Sequence, residues 1–241
     1  MTGFSEYLPM KILGISSATS TLSVGLIDND NILAEYTLAG EDVANLTVLI
    51  DRILKEAKLS ASDIEGVAVT QGPGSYTGLR GGLATAKSLS QVLNCKLVGV
   101  SSLEAMAYNL MDVEGTIVVA VHACRDEMNL ALFGASGSKL KRLTDDFVVK
   151  TDKIGEVLLK VRGLLYLLTD RPQIYEKIRE SNPQTKIQLV EPLQAQVRGV
   201  NVACLGLEYF QSEVQHDFMS LTPHYSHQPN LKEYKTKEPK N

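Results

Sequence analysis

Residues 70–93 read TQGPGSYTGLRGGLATAKSLSQVL, a glycine-rich turn set between a strand and a helix. The preceding EGVAVTQ is short and dense in Val and Ala, as a strand buried on both faces should be. A strand that turns through glycines into a helix is the unit of an α/β sheet, so this stretch directs the whole chain toward that class. The usual employment of such a turn is a phosphate cradle, in which successive backbone N–H groups and a helix N-terminus face an anion. Here the glycines fall at Gly72, Gly74 and Gly78, one residue off the GxGxxG spacing. No GK[ST] follows, and Pro73 removes an N–H from the middle of the turn.

The helix after the turn offers a different use. Gly78, Gly82, Ala86 and Ser90 succeed one another at i+4 and form a ridge without bulk, flanked by Leu79, Leu83 and Leu93. Each glycine inside a helix costs about 1 kcal/mol relative to alanine, so close packing should offset it. The ridge packs against this protein's own sheet or serves a partner's helices. If it serves a partner, Gly82→Leu should abolish binding and leave a folded monomer.

Upstream, KILGISSATSTLSVGLIDNDNILAEYTL reads as three strands, Lys11–Ser16, Leu22–Ile27 and Ile32–Leu38, joined by turns at 17–21 and 28–31 as an antiparallel meander. In NLTVLIDRILKEAKLS, Leu46, Leu49, Ile50, Ile53, Leu54 and Ala57 recur at three and four, an amphipathic helix. KLVGVS is a further strand and 102–110 a short helix, so residues 10–110 read βββαβαβα. Beyond 110, TIVVAVHA and MNLALFGA pair around a CRDE turn, LKRLTDDFVV is a third strand, KIGEVLLKV is helical, GLLYLLTD is a strand, and 190–215 holds a long helix. The βββ-then-αβ order restarts near Thr116, which implies a duplicated architecture. Residues 1–9 are expected to be a frayed extension without the signature of a secretory signal, and 229–241 a disordered tail.

Composition limits the function classes. With 44% hydrophobic and 22% charged residues in 241, the chain can bury a sizeable core. No window approaches the roughly 20 apolar residues of a membrane helix. A net charge of −4 argues against gripping nucleic acid unaided. Cys95, Cys124 and Cys204 are widely spaced and fit reduced thiols in a cytoplasmic protein. Cys124, beside Arg125, reads as a structural thiol, and His122 as a core or interface histidine. His216, His224 and His227 lack nearby acidic or thiolate ligands in sequence and make a poor metal site, so no metal is expected. No serine has an assignable His–Asp partner and no GxSxG elbow surrounds Ser75, so no catalytic residue is assigned. Glu104 stands three positions after Ser101, as a capping box requires. Arg80 and Lys87 share a helical stripe, solvated or facing acids on a partner.

GPGSYTGLRGGLATAKSL followed by LVGVSSLEAMA closely resembles the TsaB (YeaZ) family of bacterial tRNA threonylcarbamoyladenosine formation, and the segment 72–78 is shared with its catalytic paralogue TsaD. The opening hairpin, the first helix and the strand into the turn match the family in order. The resemblance covers Met10 to about Leu110 and is faint afterwards, where TPHY (222–225) echoes a C-terminal strand. It implies the ribonuclease H-like, actin-type ATPase (ASKHA) fold: α/β, two related lobes with mixed sheets flanked by helices, here 10–110 and 111–228. It implies a non-catalytic subunit without cofactor. Such a subunit forms a heterodimer with a TsaD-type transferase, works with a TsaE-type ATPase, and meets tRNA only through that complex. Alone it can form a homodimer. Family pairing through first-lobe helices implies an interface of Gly78, Leu79, Gly82, Leu83, Ala86 and Ser90 with Leu46, Leu49, Ile50 and Ile53.

The departures point away from catalysis. Where the family's first strand ends in IDT, this chain has ISS, with Ser16 in place of the aspartate. Where it often has a histidine at the start of its first helix, this chain has VANLT. A second-lobe IDAR pattern appears as VHAC, with His122 and Arg125 nearby, and TsaD's metal-binding HxxxH is absent from the sequence. The alternative reading, an ATP-binding phosphotransferase or ATPase of the same superfamily, would use Ser16, Ser17, Gly72 and Gly74. A self-associating relative with another partner is the third reading.

Overall fold

The computed structural model describes residues 10–40 and 43–227. The expected extension at 1–9 and tail at 229–241 lie outside the described residues. Two sheets repeat one topology. In the first, β1 (Lys11–Ser16), β2 (Thr21–Asp28) and β3 (Asn31–Ala39) form the antiparallel meander, and β4 (Gly66–Gly72) and β5 (Lys96–Ser101) continue in parallel, in the order β3-β2-β1-β4-β5. In the second, β6 (Gly115–Cys124), β7 (Glu127–Ser136) and β8 (Lys139–Arg142) are antiparallel, and β10 (Leu164–Thr169) and β11 (Lys186–Leu189) run parallel to β6, in the order β11-β10-β6-β7-β8.

Helices α1 (Leu46–Glu56), α2 (Tyr76–Leu93), α3 (Ser102–Ala107), α4 (Ile154–Leu158), α5 (Ile174–Ser181) and α6 (Gly199–Gln211) complete the layers. The two-residue period of β1 sorts them. Leu13 and Ile15 face the cluster built by α1 and α2. Ile12 faces the central cluster, which α3 and α6 share with Ile117, Val119 and Phe133 of the second sheet. Val118, Ala120 and Leu130 face the opposite way, onto α4 and α5. The order is therefore α1/α2, first sheet, α3/α6, second sheet, α4/α5.

Helix α6 lies directly on the first sheet. A Cβ on Gly14 or Gly25 would meet backbone atoms of residues 199, 200 or 203 closer than real Cβ atoms approach any neighbour. The Glu35 carboxylate accepts from the Val200 N–H (3.1 Å) and pairs with Arg198, and Ser23 Oγ accepts from the Gly199 N–H (2.8 Å), which satisfies the helix start. After α6 the chain stays on the same sheet: His216 N–H donates to Leu97 O (2.7 Å) and His224 N–H to Gln71 O (2.6 Å).

The second half corrects several expectations. LKRLTDDFVV is two short strands on β7, β8 and β9 (Phe147–Lys150), not one. The break falls where Asp146 leaves the sheet, accepting from Ser101 Oγ (2.7 Å) and Arg142 Nη1 (2.6 Å). The long helix expected within 190–215 is there, as α6 at Gly199–Gln211. Helix α5 and strand β11 were not anticipated. Glu104 makes half of a capping box: its N–H bonds Ser101 Oγ (3.3 Å), while its carboxylate goes to Arg142 (2.9 Å) and Tyr209 (2.8 Å). Residues 222–225 form no strand. Arg142 thus joins two carboxylates whose side chains are largely shielded, Glu104 and Asp146. Arg142→Leu should cost about 2 kcal/mol by leaving both without a counter-cation, each with one hydroxyl donor still in place, measured by urea unfolding.

Candidate functional site

The glycine-rich turn is filled by the chain itself. Gly72 has φ of +129° and lies against the His224 carbonyl. Gly74 backs onto the Ala18 carbonyl, which also accepts from the Ser75 N–H (2.7 Å). Gly78 backs onto the Ser17 carbonyl, and the Ser17 hydroxyl donates to Gly78 O (2.8 Å). Ser75 Oγ accepts from the Gly78 N–H (3.2 Å), so the start of α2 is capped from within.

That arrangement bears on the nucleotide reading. Ser16 is 0% and Ser17 2% exposed. The Ser16 hydroxyl is shut in without a hydrogen-bond partner, and Gly72 is buried. Only Gly74 of the four candidates is exposed, at the rim of the cleft between the sheets. A metal–phosphate unit needs oxygen anions and accessible donors there; the serines carry no charge, Ser17 Oγ is spent on Gly78 O, and Ser16 Oγ is shut away from the cleft. The four residues do not fit an ATP site.

The ten residues expected at a partner interface all turn inward in this chain. Gly78, Leu79, Gly82, Leu83, Ala86 and Ser90 are all buried, as are Leu46, Leu49, Ile50 and Ile53. The ridge on α2 exists so that the β1–β2 turn and β4 can approach: a Cβ on Gly82 would meet Ser17 Oγ first and Val69 next. Gly82→Leu is therefore expected to disrupt the fold itself.

The outward faces of the same helices form the surface. Between α1 and α2 runs a groove of about 550 Å³, with Ile50 and Leu54 in its floor and Thr47, Ala84, Ser88 and Val92 along it. Of the ten residues expected at an interface, Ile50 alone lines this groove. Val92 is 82% and Val48 62% exposed. Small residues continue on this side of α2 at Gly81, Ala84, Thr85 and Ser88, so the helix is low in bulk both inward and outward. Arg80 lies over the Tyr76 ring, 4.6 Å from its centre.

The second surface is the cleft of about 670 Å³ between the sheets. The C-terminal segment crosses it: Tyr225 stacks on Tyr76 (centroids 5.0 Å), Ser226 bonds Asn129, and His227 Nε2 lies 2.9 Å from Glu127 Oε2. His122 lines the cleft, its Nε2 3.2 Å from Arg125 O and its N–H on Asp170 (2.9 Å). His216 accepts from the Gly99 N–H at Nδ1 (3.3 Å), so the three C-terminal histidines do not converge.

Cys124, expected to be structural, is half-buried and opens on the cleft. Burial, then the Glu208 carboxylate, push the Cys204 thiol up to about 11, and burial raises Cys95 as well. At pH 8 roughly one Cys204 in a thousand is thiolate. Iodoacetamide at that pH should label Cys124 at least about tenfold faster than Cys204, as peptide mapping would show. Equal rates would contradict the packing of α6.

The mixed sheets with helices in between define the class: an actin-type, two-lobed α/β protein. YeaZ from Pseudomonas aeruginosa has this fold, with TM-score 0.77 and 16% identity over 90% of this chain and 99% of that one. Residues 39–237 match the family described as TsaD: tRNA N6-adenosine threonylcarbamoyltransferase, and the chain belongs to that family, in its TsaB (YeaZ) branch. The tRNA threonylcarbamoyladenosine biosynthesis protein TsaB of Bacillus subtilis is 28% identical over 219 residues, 90% of this chain and 93% of its own. That of Escherichia coli is 31% identical over 122 residues, 49% of this chain and 53% of its own. The tRNA N6-adenosine threonylcarbamoyltransferase of Thermosipho melanesiensis is 30% identical over 116 residues, but the match spans only 36% of that protein.

Proposed function

We propose that this chain serves tRNA threonylcarbamoyladenosine biosynthesis as a non-catalytic subunit that binds and activates a TsaD-type transferase in the cytoplasm. The observation that carries the reading is the α1/α2 groove: an apolar floor, small side chains along α2, and Leu89 and the exposed Val92 lining it. Isolated exposed apolar residues are ordinary, but apolar side chains gathered along a groove mark a docking surface. A partner helix fits such a groove by its own apolar stripe. A second copy of the chain would take the same groove when the transferase is absent.

The chemistry supports a binding role. The Ser16–Ser17 and Gly72–Gly78 elements that would handle phosphate pack against one another instead. A net charge of −4 leaves tRNA to be reached through the transferase. A TsaE-type ATPase acts on the assembled complex. The test is reconstitution with the transferase and ATPase of the same organism, threonylcarbamoyl-AMP and tRNA. Modified adenosine should form at least about tenfold faster with this chain than without it. An equal rate without the chain, or product from this chain alone, would refute the role.

A further inference from the structure

Three ligand-bearing side chains remote from the α1/α2 groove meet at the mouth of the cleft. Cys124 and Glu127 face each other across the end of the β6–β7 hairpin, where their backbones are paired. His227 arrives from about a hundred residues away. One ligand atom from each lies within 4.8 Å of the other two. The position of His227 is set by its neighbours. Ser226 bonds Asn129 on β7, Tyr225 stacks on Tyr76, and His224 is tied to Gln71 at the glycine-rich turn.

We propose that Cys124, Glu127 and His227 form a site for a divalent cation of the zinc class, which clips the C-terminal segment across the cleft. A thiolate, an imidazole and a carboxylate are the donor set that zinc takes. Bonds of about 2.0–2.3 Å in a tetrahedron place one sulfur and two N/O ligand atoms roughly 3.3–3.5 Å apart, so distances of up to 4.8 Å to the sulfur need to close by about 1.3 Å at most, and the 2.9 Å His227–Glu127 pair opens slightly. His227 Nε2 and Glu127 Oε2 already lie 2.9 Å apart. The cation takes these atoms and the Cys124 sulfur as ligands in their deprotonated forms, so binding releases protons to solvent. The hairpin fixes two ligands and leaves only the segment carrying the third to be ordered. Cys124 and His227 both border the cleft, so a fourth position faces it, open to water or an anionic ligand.

The same contacts admit a plain ion pair between His227 and Glu127, which would bind no metal. Full-length protein, stripped with EDTA and desalted, should take up one Co²⁺ per chain and show a near-ultraviolet thiolate-to-cobalt band. Zn²⁺ should displace the cobalt and protect Cys124 from iodoacetamide. Cys124→Ser should remove the band, and His227→Ala should weaken binding by at least the roughly 10–100-fold that loss of a supporting partner costs a metal site. Circular dichroism without metal should match wild type for both. If Cys124→Ser does not fold, Glu127→Gln takes its place: zinc should then no longer protect Cys124 from iodoacetamide, and protection that persists would count against the site. A protein that shows no cobalt band, or keeps it in Cys124→Ser and loses it in Cys204→Ser or Cys95→Ser, overturns the proposal.

Discussion

Gly78→Ala is expected to destabilise this protein by about 3 kcal/mol or more, at the upper end of what overpacking costs. The added Cβ points at the Ser17 carbonyl, a backbone atom, at a separation real Cβ atoms essentially never show. No rotamer relieves that clash. Either α2 moves off the β1–β2 turn, or Ser17 moves and breaks the bond from its hydroxyl to Gly78 O. The buried Ser17 hydroxyl would then stand unpaired, which adds about 1–3 kcal/mol. For a domain of this size each kcal/mol lowers the melting temperature by roughly 2–4 °C, so a fall of about 6–12 °C is expected. Thermal unfolding followed by circular dichroism measures it. A stable Gly78→Ala protein would mean that the turn is held elsewhere and that the ridge is free for other use. Gly81→Ala, at a half-exposed position on the same helix, is the control and should be neutral or slightly stabilising.

The second large effect is on assembly. Val92→Glu should weaken binding to the transferase by at least about 2 kcal/mol, roughly thirtyfold, because it sets an unpaired carboxylate in a desolvated groove. Val92 is 82% exposed in the isolated chain, so the fold should not register the change. Leu159→Glu, at an exposed apolar position in the second half, should leave affinity unchanged. An equal loss in both variants would indicate general damage. No loss in Val92→Glu would move the interface away from α1 and α2.

The parts of this fold that were legible are those whose pattern is local. Strand β1 and helix α2 occupy the residues their apolar spacing and glycine turn marked out, Lys11–Ser16 and Tyr76–Leu93. The duplicated order near Thr116 appears as a second sheet of the same connectivity. Helix α5 gave little signal because only Ile174 and Ile178 are buried along it. Strand β11 is a four-residue edge strand whose side chains alternate between exposed and half-exposed. Within 190–215 the expected helix begins only at Gly199, because Val190, Ala195 and Val197 pack against the core as a loop before it.

The site was legible only in outline. That small residues line α2 is plain in the sequence. Which neighbour they admit is not, because the β1–β2 turn that fills the ridge comes from about sixty residues upstream. The groove exists only once α1 and α2 lie side by side, and a lone exposed valine on a helix does not announce it. Cys124, Glu127 and His227 are likewise joined by the path of the C-terminal segment and by no motif.

The central claim is that the chain works by holding a transferase through its first two helices. The most direct measurement mixes it with the TsaD-type transferase of the same organism and weighs the products by light scattering after size exclusion. One species with the summed mass of the two chains is expected, and its loss when the chain carries Val92→Glu. Two separate peaks at micromolar concentration, with and without nucleotide and the TsaE-type ATPase, would contradict the claim.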